Sequence, residues 1–342
     1  MYFAVIDCGT TNSSVYILNN CHEVIGEGAK KIGVRDTAIS GSNRVLKEGL
    51  KEVFELAVAR AELSIEEIEF AIAFGMITSE IGLMELPHLS TPVGVDDLAK
   101  GIKVVTDPYL FPVNVPLILI RGVKNRVPES ANFRDMRKID FMRGEETQVA
   151  GLLSFHSDLE FEYPLVAVVL GSHTKFIHID EDKRINGSLT TMSGQAYEAV
   201  SKETSIGKSI IGTEEAFEDY FNPQIIDAAY DSVMSAGFIR SLMMPRFMEV
   251  LLDTKWYERR LFIDAAIVAD DLRALSDCET YRFSANCTFV LIGQKTRCEI
   301  FKYLLTKYLN VQNIRTIHQK EHIDRLGIEG AIDIARKAGR LD

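Results

Sequence analysis

The chain has 342 residues and a formal net charge of −11, with 46% hydrophobic and 25% charged residues. That length suits two domains, each able to bury a core, and the ordinary composition excludes a disordered, collagenous or membrane-embedded chain. The acidic balance argues against a broad nucleic-acid face, which needs clustered cations, while leaving room for an anionic small molecule held by backbone N–H groups and one or two cations. The five cysteines, Cys8, Cys21, Cys278, Cys287 and Cys298, include no CxxC pair and are odd in number. Neither a zinc site nor a disulfide framework is expected, and a reducing cytoplasm is the simplest location. No apolar run of signal or membrane-span length occurs, so neither secretion nor insertion is expected.

In chain order, Tyr2–Ile6 and Ser14–Leu18 are β-rich runs around a glycine turn and read as a hairpin. Asn43–Glu62 has helical apolar spacing, and Ile68–Phe74 reads as a buried strand ending at Gly75. Five prolines between Glu85 and Pro116 forbid a central strand or long helix there and predict surface loops. Leu117–Val123 is a strand candidate, Lys124–Lys138 a solvated connection, and the domain boundary is expected near Ile139, giving domains 1–138 and 139–342. Glu145–Leu153 then reads as helix and Leu165–Ile179 as strand, polar turn, strand. The remainder predicts helices over Gln195–Lys202, Thr213–Tyr220, Pro223–Leu252 and Arg259–Leu275, a strand over Cys287–Ile292 ending at Gly293, and helices over Thr296–Leu309 and Ile328–Lys337.

Two stretches repeat one pattern: "AVIDCGTTNSSVYIL" from Ala4 and "AVVLGSHTKFIHI" from Ala167. Each is an apolar strand, a glycine, small polar residues and a second strand, which reads either as two related lobes presenting turns to a shared cleft or as a chance likeness of short hairpins. A phosphate needs free backbone N–H groups, small side chains and inward hydroxyl or amide donors, and Gly9, Thr10, Thr11, Asn12 and Ser13 supply all three. Asp7, at the strand end, could hold Mg²⁺ through water, since this cation takes oxygen ligands and keeps much of its hydration shell; the competing reading is a carboxylate that only caps a tight turn. Gly171, Ser172, His173 and Thr174 form the second turn. Lys175 adds a cation able to neutralise phosphate charge, and His173 either donates to the same group or orients the loop. Gly293, between a strand and a helix start, would let an adenine ring approach the backbone. In "MRGEETQ", Glu145 and Glu146 are candidates to accept a hydroxyl proton, though glutamates in a first helical turn also serve stability alone, and Arg143 could bind an anionic substrate group. The Walker pattern is absent, which disfavours a P-loop enzyme. His318 and His322 sit among polar residues and read as a solvated segment; Trp256 reads as packing.

"DCGTTN", "GSHTK" and the Gly293 turn, in that order, resemble the phosphate and adenosine elements of the actin, hexokinase and heat-shock ATPase superfamily. "MRGEETQ" followed by "LGSHTKFI", "FGMITSEIGLMELPHLSTP" from Phe74 and "TTMSGQAYEAV" from Thr190 resemble the 2-dehydro-3-deoxygalactonokinase family more specifically, over residues 2 to about 211. The resemblance implies an α/β fold of two actin-like, ribonuclease H-like lobes with a nucleotide cleft between them. It implies an ATP-dependent kinase acting on the 6-hydroxyl of 2-dehydro-3-deoxy-D-galactonate in galactonate catabolism, with ATP and Mg²⁺ as cofactors. By position, Asp7, Gly9, Thr10, Thr11 and Asn12 would belong to Mg-ATP, Gly171, Ser172, His173, Thr174 and Lys175 to the transferring phosphate, and Gly293 to adenosine. Gly75, Met76, Ser79 and Arg143 would lie toward the sugar acid. Expected partners are the sugar acid and ATP, with no nucleic acid and no membrane, and a homodimer is admissible. Departures from the family pattern are Cys8 for Trp, Gln195 for Glu, His88 for Tyr and Ser172 for Thr. An actin-like ATPase that activates or senses a partner, without a sugar pocket, is the alternative from another class, and a catalytically decayed paralogue is a third.

Overall fold

The computed structural model describes residues 1–155, 161–212, 220–276 and 286–341. The N-terminal part builds β1 (Tyr2–Cys8), β2 (Ser13–Leu18), β3 (Val24–Lys30), α1 (Val34–Ser40), α2 (Arg44–Arg60) and β4 (Ile68–Gly75). Then come β5 (Leu89–Ser90), α3 (Val95–Gly101), β6 (Lys103–Val105), β7 (Leu117–Leu119), β8 (Val123–Lys124), β9 (Phe141–Met142) and α4 (Glu145–Phe155). The second half builds β10 (Leu165–Leu170), β11 (Thr174–Ile179), β12 (Ile185–Thr191), α5 (Ser193–Glu203), α6 (Gly207–Ile210), α7 (Pro223–Ala236), α8 (Phe238–Ser241) and α9 (Met244–Leu251). It ends with α10 (Trp256–Ser276), β13 (Thr288–Gly293), α11 (Lys295–Leu309), β14 (Ile314–Ile317) and α12 (Lys320–Lys337).

These elements form two compact units, one of Met1–Glu160, Asp182–Gly187 and Asp324–Asp342, the other of Phe161–Glu181 and Ser188–Ile323. The stretch 139–155, which the sequence reading grouped with the C-terminal half, is in the first unit.

The first unit holds a six-stranded sheet in the order β3-β2-β1-β4-β7-β6. Its central strands are near-continuous apolar runs because both faces are covered, and Phe3, Ala4, Val5 and Ile6 are fully buried. On one face α2 lies against β2 and β3, closely enough that a Cβ on Gly26 or Gly28 would stand 2.4 Å from Ala57 O or 2.5 Å from Val53 O. Only glycine permits that approach. A small sheet, β5-β8-β9, closes the proline-rich region onto the start of α4.

The second unit holds a five-stranded sheet, β12-β11-β10-β13-β14. Val166, Val168, Phe289 and Leu291 pack with Ala265, Ala266 and Ala269 of α10 in one buried cluster. In both sheets an antiparallel hairpin is followed by a parallel strand on its first member: β1 pairs antiparallel with β2 and parallel with β4, and β10 pairs antiparallel with β11 and parallel with β13. The hairpin likeness seen in the sequence therefore extends to a shared strand order.

The helix expected over Pro223–Leu252 is three helices. Gly237 takes φ +85° after α7, and Pro245 can occupy only the first turn of a new helix, so the chain turns twice. The proline-rich region carries a short helix and an edge strand, α3 and β6, besides loops. Leu117–Val123 is divided between two sheets, and the last helix starts at Lys320, eight residues before the expected Ile328. All of the helix expected over Thr213–Tyr220 except Tyr220 lies outside the described residues. No described helix is long and apolar enough to cross a membrane.

Candidate active site

In the first unit β1 ends at Cys8 and the turn closes through Gly9 N–H donating to Asn12 O at 2.9 Å. The turn is held from behind by the start of α1: Arg35 N–H donates to Thr10 O at 2.9 Å, and a Cβ on Gly33 would lie 2.4 Å from that oxygen. Thr10 and Thr11 are half-buried and Asn12 is exposed, with Asn12 Nδ2 donating to Thr11 Oγ1 at 3.2 Å. Burial, reinforced by the negative charges of Asp324 and Glu145, pushes the Asp7 carboxyl up to about 7.

Parallel pairing brings the next candidates to this turn, because Asp7 stands opposite Phe74 and Cys8 opposite Gly75. Gly75 has φ +87°, and a Cβ there would lie 2.6 Å from Cys8 O and 3.5 Å from Asp7 Oδ1. Gly144, at φ +115°, packs on Gly75 in turn: its Cβ would be 3.3 Å from Gly75 Cα. Two glycines thus let the "GMITS" segment and the start of α4 converge on the Asp7 strand end. Met76 is half-buried, and Ser79 is buried with its hydroxyl donating to Met76 O at 2.7 Å. Arg143 reaches across with Nη1 donating to Thr78 Oγ1 at 2.9 Å and Nη2 to Leu86 O at 2.8 Å, and Nη2 lies 3.5 Å from His88 Nδ1. The guanidinium therefore ties Thr78, Leu86 and His88 together beside the residues expected at the sugar acid.

The two glutamates separate. Glu146 is 1% exposed, and both its carboxylate oxygens accept from Gly144 N–H, at 2.8 and 2.9 Å, while Thr147 Oγ1 donates to Oε1 at 3.3 Å. It caps the start of α4. Glu145 is half-buried and its charge reaches Asp7.

In the second unit the turn after β10 closes through Gly171 N–H to His173 O at 2.9 Å, and Ser172 Oγ and His173 Nδ1 share a 3.2 Å hydrogen bond. Gly171 and Ser172 are exposed, His173 is half-buried, and Thr174 and Lys175 are buried on β11. As in the first unit, a helix start braces the turn. Gln195 N–H of α5 donates to Ser172 O at 2.8 Å, and a Cβ on Gly194 would lie 2.2 Å from Gly171 O. Gly293, at φ +154°, pairs with Leu170 in register, so the second turn and the Gly293 turn end on neighbouring strands.

Beside these two turns opens a cavity of about 1150 Å³, lined by Gly171, Ser172, Gly194, Gln294 and Thr296 on one side and by Tyr197, Trp256 and Tyr257 elsewhere. That volume exceeds what a drug-sized ligand needs. Gly212 lies flat on the Trp256 indole, a Cβ there standing 2.3 Å from Nε1. Deeper charge comes from Asp264, raised by burial and held back by Arg297 and Arg260, at 3.8 and 4.0 Å. Trp256, read from the sequence as packing, is part of this wall.

The sequence reading also passed over Asp324, Asp264 and Asp271. Asp271 is 3% exposed on α10 and accepts hydrogen bonds from Thr191 and Ser193; burial, opposed by these hydroxyls and Thr174, raises it to about 6. Each lies in a helical stretch with no motif to mark it.

The sequence pattern of the family described as 2-keto-3-deoxy-galactonokinase matches residues 7–326. The chain belongs to that family. A probable 2-dehydro-3-deoxygalactonokinase of Rhizobium meliloti (strain 1021) is 26% identical over 209 residues, a match spanning 61% of this chain and 59% of that relative. Among solved structures, a presumed 2-dehydro-3-deoxygalactonokinase from Sinorhizobium meliloti has a TM-score of 0.71 at 19% identity, covering 98% of each chain. Component A of the (R)-2-hydroxyglutaryl-CoA dehydratase of Acidaminococcus fermentans has a TM-score of 0.52 at 12% identity, covering 99% of each. The fold of this 2-keto-3-deoxy-galactonokinase family member is accordingly α/β of the actin-like ATPase and sugar kinase kind.

The residues at the first turn suit a hydrated Mg²⁺. Among the described residues no cluster of three or more His, Cys, Asp or Glu side chains could hold a metal ion alone. One carboxylate, Asp7, completed by water and phosphate oxygens, is the donor set Mg²⁺ tolerates, and a cation there would offset the burial and the neighbouring negative charges that raise Asp7.

Proposed function

We propose that the chain transfers the γ-phosphoryl group of ATP to the 6-hydroxyl of 2-dehydro-3-deoxy-D-galactonate, or of a close keto-deoxy sugar acid, in sugar-acid catabolism. The observation that carries this reading is the family match over residues 7–326, which includes both turns and the Arg143 segment. ATP would place its base and ribose in the cavity of Tyr197, Trp256 and Tyr257, beside Gly293, and its phosphates at the Gly171–Lys175 turn, where Lys175 offsets charge on the group in transit. Asp7 would hold hydrated Mg²⁺, whose role is to neutralise phosphate charge, and Gly9 to Asn12 would offer backbone and hydroxyl donors to the phosphates.

The sugar acid would meet the Gly75, Met76 and Ser79 segment, with Arg143 both holding that segment and supplying positive charge toward the carboxylate. Glu145 is the better candidate base, because Glu146 has both oxygens engaged by Gly144 N–H. The substrate hydroxyl oxygen bonds to the γ-phosphorus as the bond to the bridging oxygen of ADP breaks, and the hydroxyl proton passes to Glu145.

Coupled ADP release with Mg-ATP should be strong with one keto-deoxy acid and near background with its epimer, with free sugars and without acceptor. ATP consumption indifferent to every sugar acid, but stimulated by a partner protein, would overturn the kinase reading in favour of an actin-like ATPase module.

A further inference from the structure

The second turn joins the paired, buried strands β10 and β11, and its exposed tip, Gly171 and Ser172, is braced in addition by the start of α5. Gln195 N–H grips Ser172 O, and Gly194 presses on Gly171 O. What fixes Ser193, one residue earlier, is a carboxylate on another helix. Ser193 Oγ and Thr191 Oγ1 both donate to the same Oδ1 of Asp271, Thr191 at 2.5 Å, and the two hydroxyls lie 2.7 Å apart. Ser193 and Asp271 are 4% and 3% exposed, so water cannot replace this acceptor.

Asp271 sits on α10, whose apolar face is anchored in the core through Ala265, Ala266 and Ala269. The turn is thus tied by a chain of hydrogen bonds to a helix packed into the core of the unit. A buried aspartate inside a helix is costly in both propensity and desolvation, and the buried Ser193 hydroxyl could have been avoided with alanine. Its use here calls for a role beyond packing.

We propose that Asp271 is a positioning residue for the second phosphate turn: through Ser193 and Thr191 it sets the start of α5, and so the Gly171–Lys175 donors that grip the nucleotide phosphates. This rests on the nucleotide reading above. A merely structural carboxylate would affect folding and both substrates alike, whereas a positioning one acts on the nucleotide alone.

The test is Mg-ATP affinity by calorimetry on the full chain, with KM for ATP and for the sugar acid measured beside it. Asp271→Ala removes the carboxylate acceptor shared by the buried Ser193 hydroxyl and the half-buried Thr191 hydroxyl and should weaken Mg-ATP roughly tenfold or more, raising KM for ATP and lowering kcat while KM for the sugar acid stays within about twofold. Asp271→Asn keeps an oxygen at the Oδ1 position and should recover most of that loss. Ser193→Ala, which removes one donor and leaves the rest of the core intact, should weaken Mg-ATP in the same direction by a smaller factor, and it serves if Asp271→Ala does not fold. Mg-ATP affinity unchanged in Ser193→Ala, or in a folded Asp271→Ala, would overturn the assignment, as would equal losses for ATP and sugar acid. A wild-type chain that binds no Mg-ATP would overturn the nucleotide reading, and this inference with it.

Discussion

Gly151 and Gly330 mark where α4 crosses α12. A Cβ on Gly330 would stand 1.8 Å from Thr147 O and 2.8 Å from Gly151 N, and one on Gly151 would stand 1.8 Å from Leu326 O. Ordinary contact begins near 3.4 Å, so alanine at either position is 1.6 Å too close to a backbone carbonyl that no rotamer change can move. Helix propensity alone predicts the opposite sign, because alanine gains roughly 1 kcal/mol over glycine in a helix interior. Overpacking in a tight core costs about 1–3 kcal/mol, and collision with main chain rather than a flexible side chain places it at the upper end. Gly330→Ala should therefore destabilise the protein by about 1–2 kcal/mol net, lowering Tm by about 2–8 °C in calorimetry or circular dichroism. Since α4 carries Glu145, and the charges of Glu145 and of Asp324 on α12 both act on Asp7, turnover should fall as well. A Tm equal to or above wild type would refute the close crossing, and with it the placement of Glu145 near the Asp7 strand end.

Two further outcomes follow from the carboxylates. Glu145→Gln should abolish sugar-acid-dependent ADP release while leaving Mg-ATP affinity within about threefold, whereas Glu146→Ala, which strands Gly144 N–H, should cost about 1–3 kcal/mol in urea unfolding; the reverse pattern would exchange their roles. Asp7, raised from 3.8 to about 7, stays protonated in the folded chain where the unfolded chain has already released its proton. Without Mg²⁺, its contribution to stability is therefore lost as pH rises from about 4 to about 7, at up to about 1.4 kcal/mol per pH unit, and is flat above that. Asp7→Asn should lose this slope, so the difference in stability between wild type and variant should change with pH across the window; parallel curves would show that Asp7 is not perturbed.

The local parts of the site were legible because they are written in consecutive residues. Strand, glycine, small polar cluster and strand specify a hairpin whatever surrounds it, and both turns form where the pattern put them. What joins the pieces is non-local. The pairings of Cys8 with Gly75 and Leu170 with Gly293 depend on parallel strands whose register is set by the packed sheet, and no short window contains it. The choice between Glu145 and Glu146 was unreadable for a different reason. Neighbours on a helix point about 100° apart, so one of two adjacent glutamates turns inward, and which one depends on where Gly144 enters the helix. Gly144 at φ +115° aims its N–H at Glu146, which makes that glutamate the cap of α4. Glycine also explains why the helix crossing went unseen: Gly151 and Gly330 lower helix propensity in isolation, and only the opposing backbone at 1.8 Å gives them a purpose. Asp271 follows the same logic, unremarkable among the residues of α10 until the fold sets Thr191 and Ser193 against it.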